Sequence, residues 1–433
     1  MFRSVGRVHV GLTARALSCA AAGRGQCLAQ WLPPSQRLKW AAPSRHVPSA
    51  LHACLLRRCG DVARATASSD NTATFTPLQP LFERQPVAEV PCTHLARWVA
   101  SAREAVDALG PQALQTADDV GASSSDLLLE LDWLLCDAVA AWRESPQTGE
   151  WRSGPDIWRS LRRSGSLQTP EAMAWLHCSL AELDALWRKR LHDRVPLQYL
   201  TACQHWHDVT LAVGPGVLIP RPETEGLLQL AAQAMAASPH ILPHGRWADV
   251  GTGSGALAVC LARMLAADAP PVDAVDVCPT ALAYTAANAH RLGVTHRVRT
   301  HQGSWLQPVL AQSGGAPCLD GVLSNPPYVP ATRIPSLQPE VNRHEPKLAL
   351  DGGPDDGSAA IMQLIRDIVQ ALRPGGFVAL ETDGGAQAHT IAAAFEDTGA
   401  FERVSVADDC YGRLRFVSAW KTSLALHSCQ MRD

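Results

Sequence analysis

From His244 onward, short apolar runs alternate with amphipathic stretches. The runs RWADV (246–250), VDAVDV (272–277), RVRTH (297–301), DGVLS (320–324), GFVALE (376–381), FERVSVA (401–407) and LRFVSAW (414–420) read as seven strands. Between them, residues 254–264, 279–292, 358–372 and 386–398 carry apolar side chains at helical spacing. Strands alternating with helices predict an α/β, doubly wound, mostly parallel seven-stranded sheet over 241–421. No helix separates the last two strands, so they are expected to pair as an antiparallel hairpin at the sheet edge.

Upstream the pattern changes. Residues 92–195 read as helices: SSSDLLLELDWLLCDAVAAW (123–142) opens on capping residues, and SLAELDALWRKRLHD (179–193) starts at a capping Ser179 and ends on basic residues. Trp98, Trp133, Trp142, Trp175 and Trp187 suit the core of an N-terminal helical-bundle domain, with 143–168 as an insertion. In the stretch 196–240, LQYLTACQHWHDVTLAVGPGVLIP (197–220) reads as a β-hairpin linker containing a Gly-Pro-Gly turn, followed by a first helix. In CQHWH, Cys203, His205 and His207 alternate along one strand face. A structural zinc site needs a fourth ligand, and no partner cluster supplies one, so no metal is expected.

Composition narrows the picture. The chain has 433 residues, 46% hydrophobic and 18% charged, so most of it should build ordinary globular cores. A net charge of -3 argues against stable binding of nucleic acid through electrostatics. No apolar run reaches the ~18 residues that cross a bilayer. Thirteen scattered cysteines without a Cys-x-x-Cys pair suit reduced thiols. Residues 1–70 are different: basic, rich in Ala and Ser, and without an acid before Asp61. That composition predicts an organellar transit peptide. The spacing of Arg3, Arg7 and Arg15 favours the mitochondrion, and VARATASS keeps the chloroplast as the alternative.

Three segments carry chemistry. ADVGTGSGALAV places Gly251, Gly253 and Gly255 between a strand and a helix, where glycine allows a tight turn and the helix start offers free N–H groups. The next strand ends at Asp276, where a doubly wound fold puts the carboxylate that accepts from a ribose diol. SNPPYVP (324–330) ends the fourth strand at the same sheet edge. Pro326 and Pro327 have no N–H and a fixed φ, which makes a rigid exit presenting the Asn325 amide and the Tyr328 ring. Each segment alone has a plain structural account as turn, helix cap or strand end. Their order along one sheet edge is far more specific.

With these segments, the chain resembles the class I S-adenosylmethionine-dependent methyltransferases. PLQYL (196–200), LIPRPETE (218–225), HEPKLALDGG (344–353), LRPGGFVALE (372–381) and GRLRFV (412–417) make it similar to one family, the release factor N5-glutamine methyltransferases. The resemblance spans about 125–420 and is strongest from Leu197 on. It implies a Rossmann-like fold and S-adenosyl-L-methionine as cofactor, bound by Gly251, Thr252, Gly253, Ser254, Gly255, Asp276, Trp305 and Asn325. It implies Asn325, Pro326 and Tyr328 as catalytic residues, with Pro327 joining them around the substrate. Arg221 and Glu223 would stand near the cofactor pocket or form structural ion pairs. The partner implied is a peptide chain release factor methylated on the glutamine of its Gly-Gly-Gln motif. Residues 92–195 follow no cofactor pattern yet precede a complete catalytic domain, so they are expected to recognise that protein substrate, and the protein is expected to be a monomer. The alternative is an adenine-N6-type DNA or RNA methyltransferase, because an exocyclic amine poses the same nucleophile problem.

Overall fold

The computed structural model describes residues 75–110, 121–147, 149–154 and 156–423. The leader assigned to 1–70 lies outside the described residues. No helix among them is long and apolar enough to cross a membrane.

The N-terminal part runs β1 (Ala88–Pro91), α1 (Cys92–Ala108), α2 (Ser124–Ala138), β2 (Val139–Arg143), β3 (Arg152–Ser153), α3 (Ile157–Ser164), β4 (Met173–Leu176) and α4 (Leu180–Arg188). Ser123 and Asp126 form a reciprocal cap on α2, and Ser179 Oγ accepts from Glu182 N–H at 3.1 Å to start α4. The helices therefore form where capping and spacing place them. They also carry a four-stranded antiparallel sheet, ordered β1-β4-β2-β3, that helical spacing did not reveal. The apolar run at 139–142 fits either period, and pairing with β4 ends the helix at Ala138. The stretch expected as an insertion contributes β3 and α3 to this unit. Leu95, Val99, Leu131, Leu134, Trp142, Trp158 and Trp187 fill a core between the helices and the sheet.

A short α5 (Leu197–Thr201) leads into the hairpin β5 (Cys203–Trp206) and β6 (Val209–Ala212), then α6 (Glu225–Ala237). The hairpin turns at His207 and Asp208, with His207 at φ 52°, and not at Gly-Pro-Gly. The alternating register starts only at Cys203, so two residues close the turn early. Gly214 serves packing instead, because a Cβ there would lie 2.3 Å from the Tyr284 hydroxyl. His207 leaves the face of Cys203 and lies by Asp208 and Cys260, while Cys203 and His205 lie by Asp137.

The remaining chain is β7 (Trp247–Val250), α7 (Ala256–Met264), β8 (Val272–Asp276), α8 (Pro279–Arg291), β9 (Val298–Gln302), α9 (Gln307–Leu310), β10 (Leu319–Ser324), β11 (Val329–Pro330), α10 (Pro339–His344), β12 (Asp351–Gly353), α11 (Ala359–Ala371), β13 (Leu372–Glu381), α12 (Gly385–Asp397), β14 (Phe401–Asp408) and β15 (Leu414–Lys421). Seven strands form one sheet in the order β14-β15-β13-β10-β7-β8-β9. Only the pairs made by β15 are antiparallel, and β15 inserts between β13 and β14, leaving β14 at the edge. Leu257, Leu261 and Tyr284 pack one face, while Ile361, Leu364, Ile391 and Phe395 pack the other. Covering both faces is why the central strands read as continuous apolar runs. From β7 the chain goes first to β8 and β9 on one side, then to β10 on the other. The β7–β10 border is therefore the topological switch point, where open α/β sheets bind ligands.

A buried ionic network ties the N-terminal part to α10. Arg190 donates to Glu130 on α2 and to Glu340 on α10 (2.8 Å), and Arg194 Nε donates to Glu340 at 2.7 Å. His344 Nε2 adds a bond to the Asp193 carbonyl at 2.9 Å. Arg190, Arg194 and Glu340 are all buried. Truncating one member of a buried network leaves charge uncompensated. Glu340→Ala should lower the unfolding free energy by about 3–5 kcal/mol in urea denaturation. Glu144→Ala, which breaks the exposed pair with Arg152, should change it by less than about 1 kcal/mol.

Candidate active site

The turn after β7 is built around glycine. Gly251, Gly253 and Gly255 take φ of 73°, 55° and 83°, a region that side chains rarely adopt. Gly251 and Thr252 N–H groups both donate to the Val275 carbonyl at the end of β8 (2.9 and 3.0 Å). From α8, Thr285 Oγ1 donates to the Gly253 carbonyl at 3.0 Å and Asn288 Nδ2 to the Ser254 carbonyl at 2.9 Å. A Cβ at Gly255 would meet the Thr285 backbone at 3.1 Å, so only glycine lets α8 approach this closely. Asp249, at the end of β7, accepts from Thr252 Oγ1 (2.6 Å) and from Ala258 N–H (3.0 Å). Burial pushes its carboxyl up to about 7 against those two bonds. Its Oδ1 and the Ser254 hydroxyl are buried without a hydrogen-bond partner.

Asp276 ends β8 beside this turn. Its Oδ2 accepts from Gly253 N–H at 3.0 Å, and its Oδ1 accepts from Cys278 N–H at 2.9 Å, at the start of α8. It thus closes a short side-chain turn onto Cys278, the residue before α8, and is part of the glycine turn, without capping the helix itself. Burial raises its pKa, opposed by those backbone bonds. Each oxygen still has a lone pair to offer. The Asp276 carbonyl accepts from Gly303 N–H at 3.0 Å, which holds the exit of β9 alongside. Two residues on, Trp305 takes φ 48° and leaves its indole Nε1 buried without a partner.

The exit of β10 lies across the switch point. A Cβ at Gly251 would have the Asn325 carbonyl oxygen as its nearest neighbour, at 3.8 Å. Asn325 Nδ2 donates to Thr224 Oγ1 at 3.0 Å, and Thr224 Oγ1 donates to Glu381 Oε2 at 2.7 Å. The Tyr328 hydroxyl donates to Glu381 Oε1 at 3.0 Å. With its NH2 held by Thr224, Asn325 keeps Oδ1 as an acceptor that no described residue engages. Glu381 is buried at the end of β13, and burial pushes its carboxyl up to about 7, against the bonds from Thr224 and Tyr328 and the nearby Arg415. Burial, with Glu381 next to it, also raises the Tyr328 phenol, which stays neutral.

The rest of the segment is locked from outside. Gln387 Nε2 donates to the Tyr328 carbonyl at 3.0 Å. Cβ atoms at Gly352 and Gly357 would fall 2.8 Å and 2.4 Å from Tyr328 backbone atoms, so the loop around 352–357 presses directly on Asn-Pro-Pro-Tyr. Beside it opens a cleft lined by Asn325, Tyr328, Leu218, Leu337, Val341 and Leu350 among others. Arg221 also lines this cleft, and its guanidinium is paired with buried Glu345 at 2.6 Å. Of the two accounts weighed for Arg221, the ion pair is the one the geometry shows. The Glu223 side chain makes no hydrogen bond or ion pair among the described residues.

The structure therefore brings Gly251, Thr252, Gly253, Ser254, Gly255, Asp276 and Asn325 to one sheet edge, with Pro326, Pro327 and Tyr328 following. Thr224, Glu381, Glu345 and Gln387 were not singled out by sequence reasoning. The available signal was a carboxylate closing an otherwise apolar strand, as in GFVALE, since buried acids are rare without partners.

No protein-family model matches the chain. The release factor glutamine methyltransferase of Thermosynechococcus vestitus is 43% identical over 244 residues, covering 56% of this chain and 80% of that protein. The protein of the same name in Gloeobacter violaceus is 42% identical, covering 55% and 76%. That of Moorella thermoacetica is 37% identical over 260 residues, covering 59% and 87%. Among solved structures, a ribosomal protein L11 methylase from Lactobacillus delbrueckii aligns with TM-score 0.33 and 20% identity, over 48% of this chain and 84% of that one. The O-methyltransferase TomG from Streptomyces achromogenes, in complex with SAM, aligns with TM-score 0.32 and 17% identity over the same shares. Identity at this level, sustained over three quarters or more of relatives that share one name, means that the chain belongs to the release factor glutamine methyltransferase family.

Proposed function

We propose that this protein transfers a methyl group from S-adenosylmethionine to the side-chain amide nitrogen of the glutamine in the Gly-Gly-Gln motif of a peptide chain release factor. The observation that carries the reading is the Asn325 amide, fixed by Thr224 so that its oxygen stays available at the rim of the cleft. Family membership supports the same substrate over a nucleic-acid base.

The residues at the switch point fit the cofactor. When bound, it supplies a methyl group on a positively charged sulfur. Gly251 to Gly255 would hold its methionine end, where the unpartnered Ser254 hydroxyl and Asp249 Oδ1 are polar groups in need of a ligand. The spare lone pairs of Asp276 suit a ribose diol, and Trp305 would stand by the adenine. Asn325 closes the pocket from the opposite strand.

A glutamine amide is a poor nucleophile because its nitrogen lone pair is delocalised into the carbonyl. Acceptors aimed at both N–H bonds favour localising that lone pair and hold the nitrogen in line for attack. Asn325 Oδ1 and the Pro326 carbonyl are such acceptors. Pro327 keeps them rigid, and Tyr328 packs beside the amide. No strong base is needed, since the nitrogen sheds its proton after becoming cationic. Leu218, Leu337, Val341 and Leu350 would receive the residues flanking the glutamine.

The helical region at 92–195 would recognise the body of the release factor, and the protein would act as a monomer. The basic, acid-poor leader supports import into an organelle, with the mitochondrion favoured by its arginine spacing and the chloroplast as the alternative. A fluorescent fusion of residues 1–70 that stays in the cytosol would remove that part of the reading.

Asp276→Ala should weaken S-adenosylmethionine binding by roughly 1–3 kcal/mol through lost charge-assisted bonds to the ribose. Calorimetry on the folded variant checks this, and unchanged affinity would leave Asp276 with a turn-holding role only. Asn325→Ala should lower kcat on the order of 10²- to 10³-fold with a much smaller change in cofactor affinity. The wild-type protein should label a release factor but not its Gln→Asn version, in which one methylene misplaces the nitrogen. Label appearing on adenine in DNA or RNA, and not on the release factor, would replace this reading with the base-methylating one.

A further inference from the structure

Thr224 links two groups of opposite character, and its single hydroxyl proton decides what each can do. Ionised Glu381 has no proton to give, so at 2.7 Å it must accept the Thr224 proton. The Thr224 oxygen is then left with lone pairs only, and Asn325 must meet it with NH2, at 3.0 Å. The amide oxygen is thereby turned toward the cleft. A proton on Glu381 Oε2 would reverse the chain. Glu381 would donate to Thr224, Thr224 would donate to the Asn325 oxygen, and the amide would present NH2 to the cleft. Neither change moves a heavy atom by more than a rotation of the amide about its own axis.

We infer that Glu381 and Thr224 are positioning residues that set the polarity of the Asn325 amide, so that an acceptor and not a donor meets the substrate nitrogen. The inference rests on the glutamine reading above and deepens it: it assigns the preference for an amide NH2 over a carboxylate to a buried acid that touches no substrate. Reversed, the site would offer a donor to a nucleophile that brings only donors, and methyl transfer would lose one of its two acceptors.

The surroundings of Glu381 are all accounted for. Thr224 and the Tyr328 hydroxyl each donate to it. The Arg415 guanidinium lies close, held by Asp409 at 2.8 Å, and favours the ionised form. Glu223 and burial oppose it, which leaves the carboxyl near 7, within reach of ordinary pH. Tyr328 ionises far above that range. An acid of this kind loses its proton as pH rises through about 7, so the productive polarity is present above that value and lost below it.

The experiment measures kcat against pH, from about 5.5 to 9, for the full chain with a release factor and saturating S-adenosylmethionine. Wild type should show a limb rising through about 7. Glu381→Gln, which cannot titrate, should flatten the limb and, with its NH2 turned to Thr224, lose roughly 10- to 100-fold in kcat at high pH. Thr224→Val should match that loss, and Thr224→Ser, which keeps the hydroxyl, should restore most of the rate. In binding assays without the methyl donor, wild type should prefer a Gly-Gly-Gln peptide to its Gly-Gly-Glu counterpart, and Glu381→Gln should narrow that preference. Asp249 also lies near 7 and is untouched by these variants. A limb that persists in Glu381→Gln, or wild-type kcat in Thr224→Val, overturns the inference while glutamine methylation by wild type stands. Should Glu381→Gln fail to fold, the two Thr224 variants decide the question alone. Wild type that leaves glutamine unmethylated at every pH takes down the functional reading, and this inference with it.

Discussion

Two consecutive residues without a backbone donor set the terms for the whole site. Pro326 and Pro327 cannot be held by a strand ladder, because they have no N–H to place in one. A rigid exit must therefore be held by everything around it. The Val329 N–H reaches the Leu350 carbonyl at 2.9 Å, Gln387 takes the Tyr328 carbonyl, and the loop of Gly352 and Gly357 lies against the Tyr328 backbone. Ser324 Oγ closes the strand end onto the Val250 carbonyl at 2.5 Å. The precision of Asn325 is borrowed from these neighbours.

This dependence separates what was legible in the sequence from what was not. The seven strands and their helices were readable because strands buried on both faces are apolar at consecutive positions, and the helices between them are amphipathic. Gly251 to Gly255, Asp276 and Asn325 were readable because each sits at a strand end with a residue type that means something locally. Thr224 and Glu381 were not, since their roles exist only across separations of 101 and 157 residues. A threonine in PETE has no local reason to hold an asparagine amide. Arg221 illustrates the intermediate case: its place near the cleft was expected, but its partner Glu345 is 124 residues away.

The N-terminal part shows a different limit. Capping at Ser123 and Ser179 located both helix starts, since a cap is a short-range bond. The strand at Val139–Arg143 was absorbed into the helix before it, because its partner at Met173–Leu176 lies outside any local window. The turn at His207 was displaced for a related reason. Gly-Pro-Gly is the stronger turn signal, yet a two-residue connection had already closed the ladder between Cys203 and Ala212.

The network of Glu130, Arg190, Arg194 and Glu340 bears on how such a protein can change over evolutionary time. The N-terminal part and the methyltransferase sheet look like separate parts that recombination near residue 196 could exchange. Here the two arginines sit on one side of that junction, and Glu340 lies buried on the other, next in the chain to Val341 of the cleft lining. A new partner for the sheet would arrive with no positive charge for Glu340 to meet, inside a contact that water does not reach. The N-terminal part and the methyltransferase sheet are therefore tied through buried charge, and exchanging either one alone would leave the other with ions that have lost their partners.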